Sequence, residues 1–114
     1  MRAATAKRAR ERLNGVFHAL GDPTRRAIVE MLGERPCSLS GLAAPLGVTV
    51  TAVAQHIQVL EANGLAVSKK VGRVRACQID DAGFAHLENW IGEQRNVWAR
   101  RLDRLGDVLD EDDD

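Results

Sequence analysis

Residues 42–60, LAAPLGVTVTAVAQHIQVL, constrain the fold of this chain more than any other stretch. Apolar residues recur at helical spacing on both sides of Gly47, which predicts two short helices joined by a tight turn. Gly47 tolerates the positive φ angle that such a turn needs, and Ala43 is small enough to let the two helices cross closely. The stretch therefore predicts a helix-turn-helix unit, in which the first helix sets the angle of the second. Its apolar anchors are Leu42, Leu46, Val48, Val53, Ile57 and Leu60.

The exposed face predicted for the second helix carries no charge, although the chain has 16 Lys and Arg residues. Thr49 stands where it can cap this helix, and Thr51, Gln55 and Gln58 share one face. Hydroxyl and amide groups match the donors and acceptors of DNA base edges, and threonine methyl groups can contact thymine methyl groups. We therefore expect a DNA-reading surface formed by Thr49, Val50, Thr51, Ala54, Gln55 and Gln58.

A basic hairpin is predicted directly after this unit. In residues 65–80, LAVSKKVGRVRACQID, two β-prone runs flank Val71 and Gly72, which is typical of a β-hairpin. A helical hairpin from another small α protein would also turn Gln and Thr towards water, but a basic hairpin beside it favours DNA binding. The residues expected to contact phosphates at the hairpin tip are Lys69, Lys70, Arg73 and Arg75.

Helices are predicted on both sides of these elements, and Asp22 and Pro23 are typical of a helix start. The predicted helices cover about residues 7–20, 23–32, 49–63 and 81–109, and a further short helix begins near Ser38 or Ser40 and ends by Gly47. The predicted fold is thus mainly α with a small β-hairpin wing, a winged helix-turn-helix ordered as four helices, the hairpin and a long helix. Its expected parts are a basic N-terminal segment (1–12), a winged helix-turn-helix DNA-binding domain (13–80), a C-terminal dimerisation helix (81–109) and an acidic disordered tail (110–114).

The last predicted helix repeats large apolar residues every seven positions, at Phe84, Ile91, Trp98 and Leu105. A chain of 114 residues has little other protein to cover such a stripe. We predict that one part packs on the protein's own core and that a second copy of the chain covers the other part. The expected homodimer interface consists of Leu13, Val16, Phe17, Phe84, Leu87, Ile91, Trp98, Leu102 and Leu105.

The formal net charge of zero hides a division along the chain. Residues 1–75 carry a net charge of +7 and residues 76–114 carry −7, which indicates two surfaces with different partners. No segment approaches the ~18 apolar residues of a membrane span, and the first residues lack the apolar part of a signal peptide, so we expect a cytoplasmic protein. Because there is no nucleophile–base pairing and no Gly-rich phosphate loop, we expect no enzyme activity.

Two motifs carry a family resemblance. ALGDPTRRAIVEML and VAQHIQVLEANGL, together with the hairpin and the long helix, resemble the ArsR-type (ArsR/SmtB-like) winged-helix repressors over about residues 13–109. The resemblance implies a homodimer, joined mainly by its first and last helices. It also implies that the dimer binds a palindromic operator in double-stranded DNA and represses transcription.

The chain departs from the metal-binding pattern of that family. Many members bind metals through Cys-x-Cys-Asp at the start of the third helix, where this chain has Ser38, Ser40 and Gly41. On the last helix, only Asp81 and His86 match the family's second metal pattern. Zinc and thiophilic metals need three or four nitrogen and sulfur ligands, so we expect no metal, no cofactor and no release from DNA by metals.

Two alternatives remain for the function. Some relatives sense oxidants or reactive sulfur through two thiols, and this chain offers Cys37 and Cys77. Cys77 has the strand parity of Ile79, which predicts a buried and inert thiol. The other alternative is a winged-helix protein-interaction module that has lost DNA binding, although the basic hairpin argues against it. His56 is expected to be a packed, hydrogen-bonded residue on the inner side of the second helix.

Overall fold

The computed structural model describes residues 2–112, which form five helices and three strands. In chain order these are α1 (Arg2–Leu20), α2 (Pro23–Glu34), β1 (Cys37–Ser38), α3 (Leu39–Leu46), α4 (Val50–Ala62), β2 (Ala66–Val71), β3 (Val74–Ile79) and α5 (Ala82–Asp112). The strands form one antiparallel sheet in the order β1-β3-β2. The fold is the expected winged helix-turn-helix, and β2 and β3 form its wing.

Capping side chains fix the starts of the three short helices. Asp22, Ser38 and Thr49 each accept the backbone N–H of the residue three positions further on, at 2.9, 3.0 and 3.1 Å. These bonds satisfy donors that the first turn of a helix leaves unpaired. Gly47, with a φ angle of 66°, ends α3 in the left-handed conformation. The local sequence therefore sets the bounds of α2, α3 and α4, as predicted.

The core is built from aliphatic side chains and lies between the helices and one face of the sheet. The helices α1 to α4 and the strands β2 and β3 all contribute buried residues, whereas α5 contributes the half-buried Phe84 and Leu87. Small side chains such as Ala19, Ala43 and Ala66 allow backbones to approach closely at this centre. The fully or nearly fully buried apolar residues are Val16, Ala19, Ile28, Leu32, Leu42, Ala43, Val53, Ile57, Leu60, Leu65, Ala66 and Cys77.

The structure differs from the sequence prediction at three places. A two-residue strand, β1, precedes α3 and pairs with β3, so the sheet has one strand more than the predicted hairpin. The basic N-terminal segment is helical from Arg2, as the first half of α1. The expected disordered tail at 110–114 is also partly wrong, because α5 continues through Asp112. Residues 113 and 114 lie outside the described residues.

Two glycines join the end of α4 to the start of α5. The N–H of Gly83 donates to the carbonyl oxygen of Gly64 at 2.7 Å, and Gly64 itself has a φ angle of 70°. A Cβ atom on Gly83 would lie 2.5 Å from the carbonyl oxygen of Asn63 and 2.9 Å from that of Gly64. Because both obstacles are backbone atoms, only glycine fits at the start of α5. This contact fixes the root of the long helix against the end of α4.

We predict that Gly83→Ala destabilises the protein by roughly 1–3 kcal/mol, as overpacking against backbone atoms typically does. Gly33→Ala is the matched control, because a Cβ there meets no atom within 4 Å and alanine favours helix over glycine by up to about 1 kcal/mol. Urea unfolding followed by circular dichroism measures both free energies of unfolding. Equal stability of the two variants would contradict the close contact at Gly83.

Candidate nucleic-acid interface

The helices α3 and α4 meet at a bend of 112°, within the range that helix-turn-helix units use. Gly47 makes the turn, and the N–H of Val48 donates to the carbonyl oxygen of Ala43 at 3.3 Å across it. Leu42 and Ala43 are buried beneath the turn. Because the turn is hydrogen-bonded and its inner side chains are packed, α3 holds α4 in a fixed orientation.

Helix α4 has two faces of opposite character. Val53, Ile57 and Leu60 are at most 3% exposed and form its inner face. Thr51, Gln55 and Gln58, at the same spacing of four and three residues, are exposed on the outer face. The remaining residues of the expected reading surface are Thr49 and Val50, which are exposed, and Ala54, which is half-buried.

Thr49 has a structural task as well as its place at this surface. Its Oγ1 accepts the N–H of Ala52 as the cap of α4. The lone pair used in the cap is therefore not free for a base, whereas the cap does not use the hydroxyl proton or the methyl group. Gln55 and Gln58 have no such engagement among the hydrogen bonds described, so their amides offer both donors and acceptors.

Arg25 of α2 supports the inner side of α4, a role that no sequence pattern indicates. Its Nε donates to the carbonyl oxygen of Ala19 at 2.7 Å and one of its terminal nitrogens donates to that of His18 at 3.2 Å. The other terminal nitrogen lies 3.4 Å from Nδ1 of His56 in α4. Since a guanidinium only donates, Nδ1 of His56 accepts this bond. His56 is thus packed and hydrogen-bonded, as expected, and Arg25 ties α4 to the corner between α1 and α2.

The same corner holds a perturbed carboxylate. The N–H of Arg25 donates to the Asp22 carboxylate, and this bond is the largest cause that lowers the pKa of Asp22 below its ordinary value of 3.8. Desolvation, the second-largest cause, opposes this bond and raises the pKa, while the positive charge of Arg25 lowers it further. Asp22 is therefore charged at neutral pH, which suits its position at the N-terminus of α2.

The wing concentrates positive charge beside α4. Lys70 and Arg75 are direct cross-strand partners, so their side chains lie on one face of the sheet, the face that carries buried Cys77 nearer the core. Lys69 lies on the opposite face and Arg73 lies in the turn after Gly72, and all four cations are exposed. Like charges directly opposite each other on a sheet repel. A polyanion bound at the wing would relieve that repulsion.

The residues expected at a dimer interface divide into three groups. Phe84 and Leu87 are half-buried against the protein's own core, and Leu13 is also half-buried. Val16 is a correction, because it is 1% exposed inside the core and has no surface left for a partner. The third group is exposed apolar surface of α1 and α5, which also includes two residues that the sequence analysis missed, Val108 and Leu109. Its members are Phe17, Ile91, Trp98, Leu102, Leu105, Val108 and Leu109.

An aromatic contact joins the two helices that carry this surface. The rings of Phe17 in α1 and Trp90 in α5 meet edge to face, with centroids 5.3 Å apart, a favourable geometry for aromatic pairs. Beyond Trp98, every residue of α5 through Glu111 is exposed. The contact therefore anchors the first half of α5, and nothing in the same described chain covers the second half.

The serines at the expected metal position are engaged with each other and with the backbone. Ser38 Oγ accepts the N–H of Gly41 at 3.0 Å and lies 3.3 Å from Ser40 Oγ. Within residues 2–112, no three or more His, Cys, Asp or Glu side chains are grouped so that they could hold a metal ion. In the same part of the chain, no single helix is long and apolar enough to cross a membrane.

A bent pair of helices with an uncharged polar outer face, followed by a cationic wing, defines the class of winged helix-turn-helix DNA-binding proteins. The family model described as a helix-turn-helix domain matches residues 20–68. The chain is 36% identical over 98 residues to the HTH-type transcriptional regulator Rv2034 of Mycobacterium tuberculosis, a match that covers 86% of this chain and 89% of that protein.

Two solved structures of transcriptional regulators are also similar to this chain. The ArsR family transcriptional regulator RHA00566 is 42% identical with a TM-score of 0.73, covering 78% of this chain and 92% of its own. An ArsR-like transcriptional regulator from Rhodococcus sp. RHA1 is 34% identical with a TM-score of 0.78, and the match covers 89% of this chain and 93% of that protein's chain. The chain belongs to the ArsR family of winged helix-turn-helix transcriptional regulators. This is a family of DNA-binding proteins and not of enzymes.

The lowered pKa of Asp22 predicts a specific pH dependence of stability. A group whose pKa is lower in the folded than in the unfolded state stabilises the protein above its ordinary pKa, 3.8 here, and this contribution is lost as the pH falls through the folded value. Asp22→Asn keeps an oxygen acceptor but removes the charge. We expect wild type to be more stable than Asp22→Asn at pH 6, with a difference that disappears as the pH falls below 3.8. Thermal unfolding of both proteins from pH 6 to pH 3 measures this, and a constant difference would contradict the assignment.

Proposed function

We propose that this protein is a homodimeric repressor that binds a palindromic DNA operator with α4 of each protomer in the major groove. One observation carries the proposal: the outer face of α4 presents Thr51, Gln55 and Gln58 without any charge, while exposed cations stand on the adjacent wing. Sequence reading needs hydrogen-bonding groups at base edges, and affinity needs cations at phosphates. In this protein α4 offers the hydrogen-bonding groups, and the neighbouring wing offers the cations.

The length of the polar face suits a short half-site. Thr51 and Gln58 are seven residues apart, which is ~10 Å along a helix at a rise of ~1.5 Å per residue. This length matches about three base-pair steps of ~3.4 Å. A glutamine amide can make two hydrogen bonds to the edge of one adenine, and threonine can contact a thymine methyl group. We infer that Gln55 and Gln58 select adenine and that Thr51 selects thymine in each half-site.

Dimerisation is inferred from the exposed apolar stripe of α5. Trp98, Leu102 and Leu105 are 54%, 67% and 54% exposed, and monomeric proteins rarely leave contiguous apolar surfaces of this kind in water. A second copy of the chain offers an identical stripe, which a two-fold axis can bring face to face. The two copies of α4 are then placed about one DNA turn apart, ~34 Å, which requires a palindromic operator.

We propose that metal ions do not control the binding of this protein to DNA. Hydroxyl groups at Ser38 and Ser40 are poor ligands for zinc and thiophilic metals, which prefer thiolate and imidazole. We infer that zinc, cadmium and arsenite leave the protein bound to its operator. Because its proposed target is DNA, we also infer that the protein acts in the cytoplasm, with no membrane partner.

Gln55→Ala tests the reading face. We expect it to weaken operator binding by about 1–3 kcal/mol while non-specific binding stays close to that of wild type, because the lost bonds are to a base. Gln78→Ala is the matched control, since it removes the same amide from an exposed position on the outer face of β3. Mobility-shift titrations on DNA from upstream of the protein's own gene and on random DNA give both affinities. An equal loss on the two DNAs would refute base reading by Gln55.

Replacing Lys69, Lys70, Arg73 and Arg75 with glutamine tests the wing. Each phosphate contact that is lost should make the slope of log affinity against log salt shallower by about 0.9, on operator and random DNA alike. Arg104→Gln removes one exposed cation from α5 and should leave the slope unchanged. An unchanged slope in the fourfold variant would show that the wing does not contact the DNA backbone.

Trp98→Glu tests the dimer. A carboxylate placed in the apolar stripe would be buried without a partner, so we expect the dimer to dissociate and tight operator binding to be lost with it. Arg100→Glu adds the same side chain two residues along the helix, away from the stripe, and should remain dimeric. Sedimentation at micromolar concentration distinguishes the two. Wild-type protein that sediments as a monomer would overturn the proposed assembly.

A further inference from the structure

The two cysteines of the chain face each other across the sheet. Cys37 in β1 and Cys77 in β3 are 40 residues apart in sequence, yet they are direct partners in the antiparallel pairing of these strands. Side chains of direct partners lie on the same face of a sheet. Cys77 is fully buried on the core face, and Cys37 packs against the same core cluster. The sequence offers Cys37 and Cys77 as a candidate thiol pair but does not place them side by side, because a two-residue strand cannot be recognised from its pattern.

The spacing of such a pair suits a disulfide bond. Both cysteines are free thiols. Direct partners in antiparallel strands have Cα atoms about 4.5–5.5 Å apart, within the range of about 4.4–6.8 Å that disulfides span. Their Cβ atoms, about 4.5–5.5 Å apart in a direct pair, need only a small approach to reach the ~3.8 Å of a disulfide. A bond can therefore form without refolding of the sheet.

The two thiols differ in access, so we expect them to play different roles in the reaction. Cys37 is half-buried and Cys77 is fully buried. Burial, followed by the negative charge of Glu61, raises the pKa of Cys77, so this residue stays a protonated thiol at neutral pH. Because only Cys37 keeps exposed surface, a small oxidant reaches Cys37 before Cys77.

We propose that Cys37 and Cys77 form a reversible intramolecular disulfide in response to a peroxide, and that this bond adjusts the wing. In the first step the Cys37 sulfur attacks one peroxide oxygen, the O–O bond breaks, and hydrogen peroxide leaves a sulfenic acid and one water molecule. In the second step the Cys77 sulfur attacks that of Cys37, the S–S bond forms, and the sulfenic oxygen leaves as water with the thiol proton. A dithiol reductant reverses the reaction and is itself oxidised to a disulfide.

The position of the pair connects the thiol chemistry with the DNA-binding elements. Cys37 is followed by Ser38, which caps α3, the first helix of the helix-turn-helix unit. Cys77 lies two residues from Arg75 on the same strand and the same sheet face, and Arg75 is paired with Lys70. A bond that draws β3 towards β1 therefore moves the root of the wing relative to α3. We expect the oxidised protein to lose wing contacts, with lower operator affinity and a shallower salt dependence, as in the fourfold wing variant.

The thiol reaction is tested on the full chain without DNA. Reduced protein is treated with hydrogen peroxide, and free thiols, intact mass and non-reduced peptides are measured. We expect the loss of both thiols and of two hydrogen atoms per chain, a single crosslinked Cys37–Cys77 peptide, and full recovery with dithiothreitol. In Cys37→Ser, the remaining thiol should stay reduced. In Cys77→Ala, Cys37 should be trapped by dimedone as a sulfenic acid. Two thiols that stay free in wild type, or crosslinks only between chains, would overturn the proposal.

The regulatory consequence rests on the proposed function, and a second measurement separates the two. Reduced and oxidised wild type and peroxide-treated Cys37→Ser are titrated on the DNA from upstream of the protein's own gene. Weaker binding by oxidised wild type alone supports coupling between the disulfide and the wing. Equal affinity of the reduced and oxidised forms would overturn that coupling. If reduced protein does not bind, the proposed operator binding fails, whereas the disulfide is still established or refuted by the mass measurement.

Discussion

Burial of one face of α4 is the constraint on which the rest of this structure depends. Val53, Ile57 and Leu60 are held in the core, and the helical period then directs Thr51, Gln55 and Gln58 outward without further choice. The bend at Gly47 and the bond from Arg25 to His56 fix the same helix from its start and from its middle. The composition of the proposed DNA-reading surface is therefore a consequence of how the core is packed.

The sequence could predict what depends on local contacts. The caps at Asp22, Ser38 and Thr49 and the wing turn at Gly72 are set by residues within a few positions of each other, and each was predicted in place or nearly so. The strand β1 was missed because two residues are too few to show the alternation of apolar and polar side chains that indicates a strand. The bond between Arg25 and His56 joins residues 31 positions apart, so no spacing rule reveals it. The apolar stripe of α5 predicted an unpartnered surface, but only the structure separates the residues that pack on the core, such as Phe84 and Leu87, from those left exposed.

The basic and acidic parts of the sequence lie on different elements of the fold. The cations at the wing stand beside α4, and those of residues 2–12 line the exposed first half of α1. The acidic residues Asp103, Asp107 and Asp110 lie on the exposed end of α5, in a molecule whose longest dimension is 73 Å. Negative charge near DNA would repel phosphates, so cations on the wing and acidic residues on α5 favour one orientation of approach.

The contact between Gly83 and Gly64 has a consequence for how a dimer would measure DNA. Since the root of α5 is bonded to the segment that ends α4, a dimer joined through α5 transmits the crossing angle of its long helices straight to its two reading helices. The distance between half-sites is then fixed by a joint of two glycines that lies away from the α4 reading face and the wing. Changes at this joint would then alter the operator spacing, whereas changes in the side chains of α4 would alter the operator sequence.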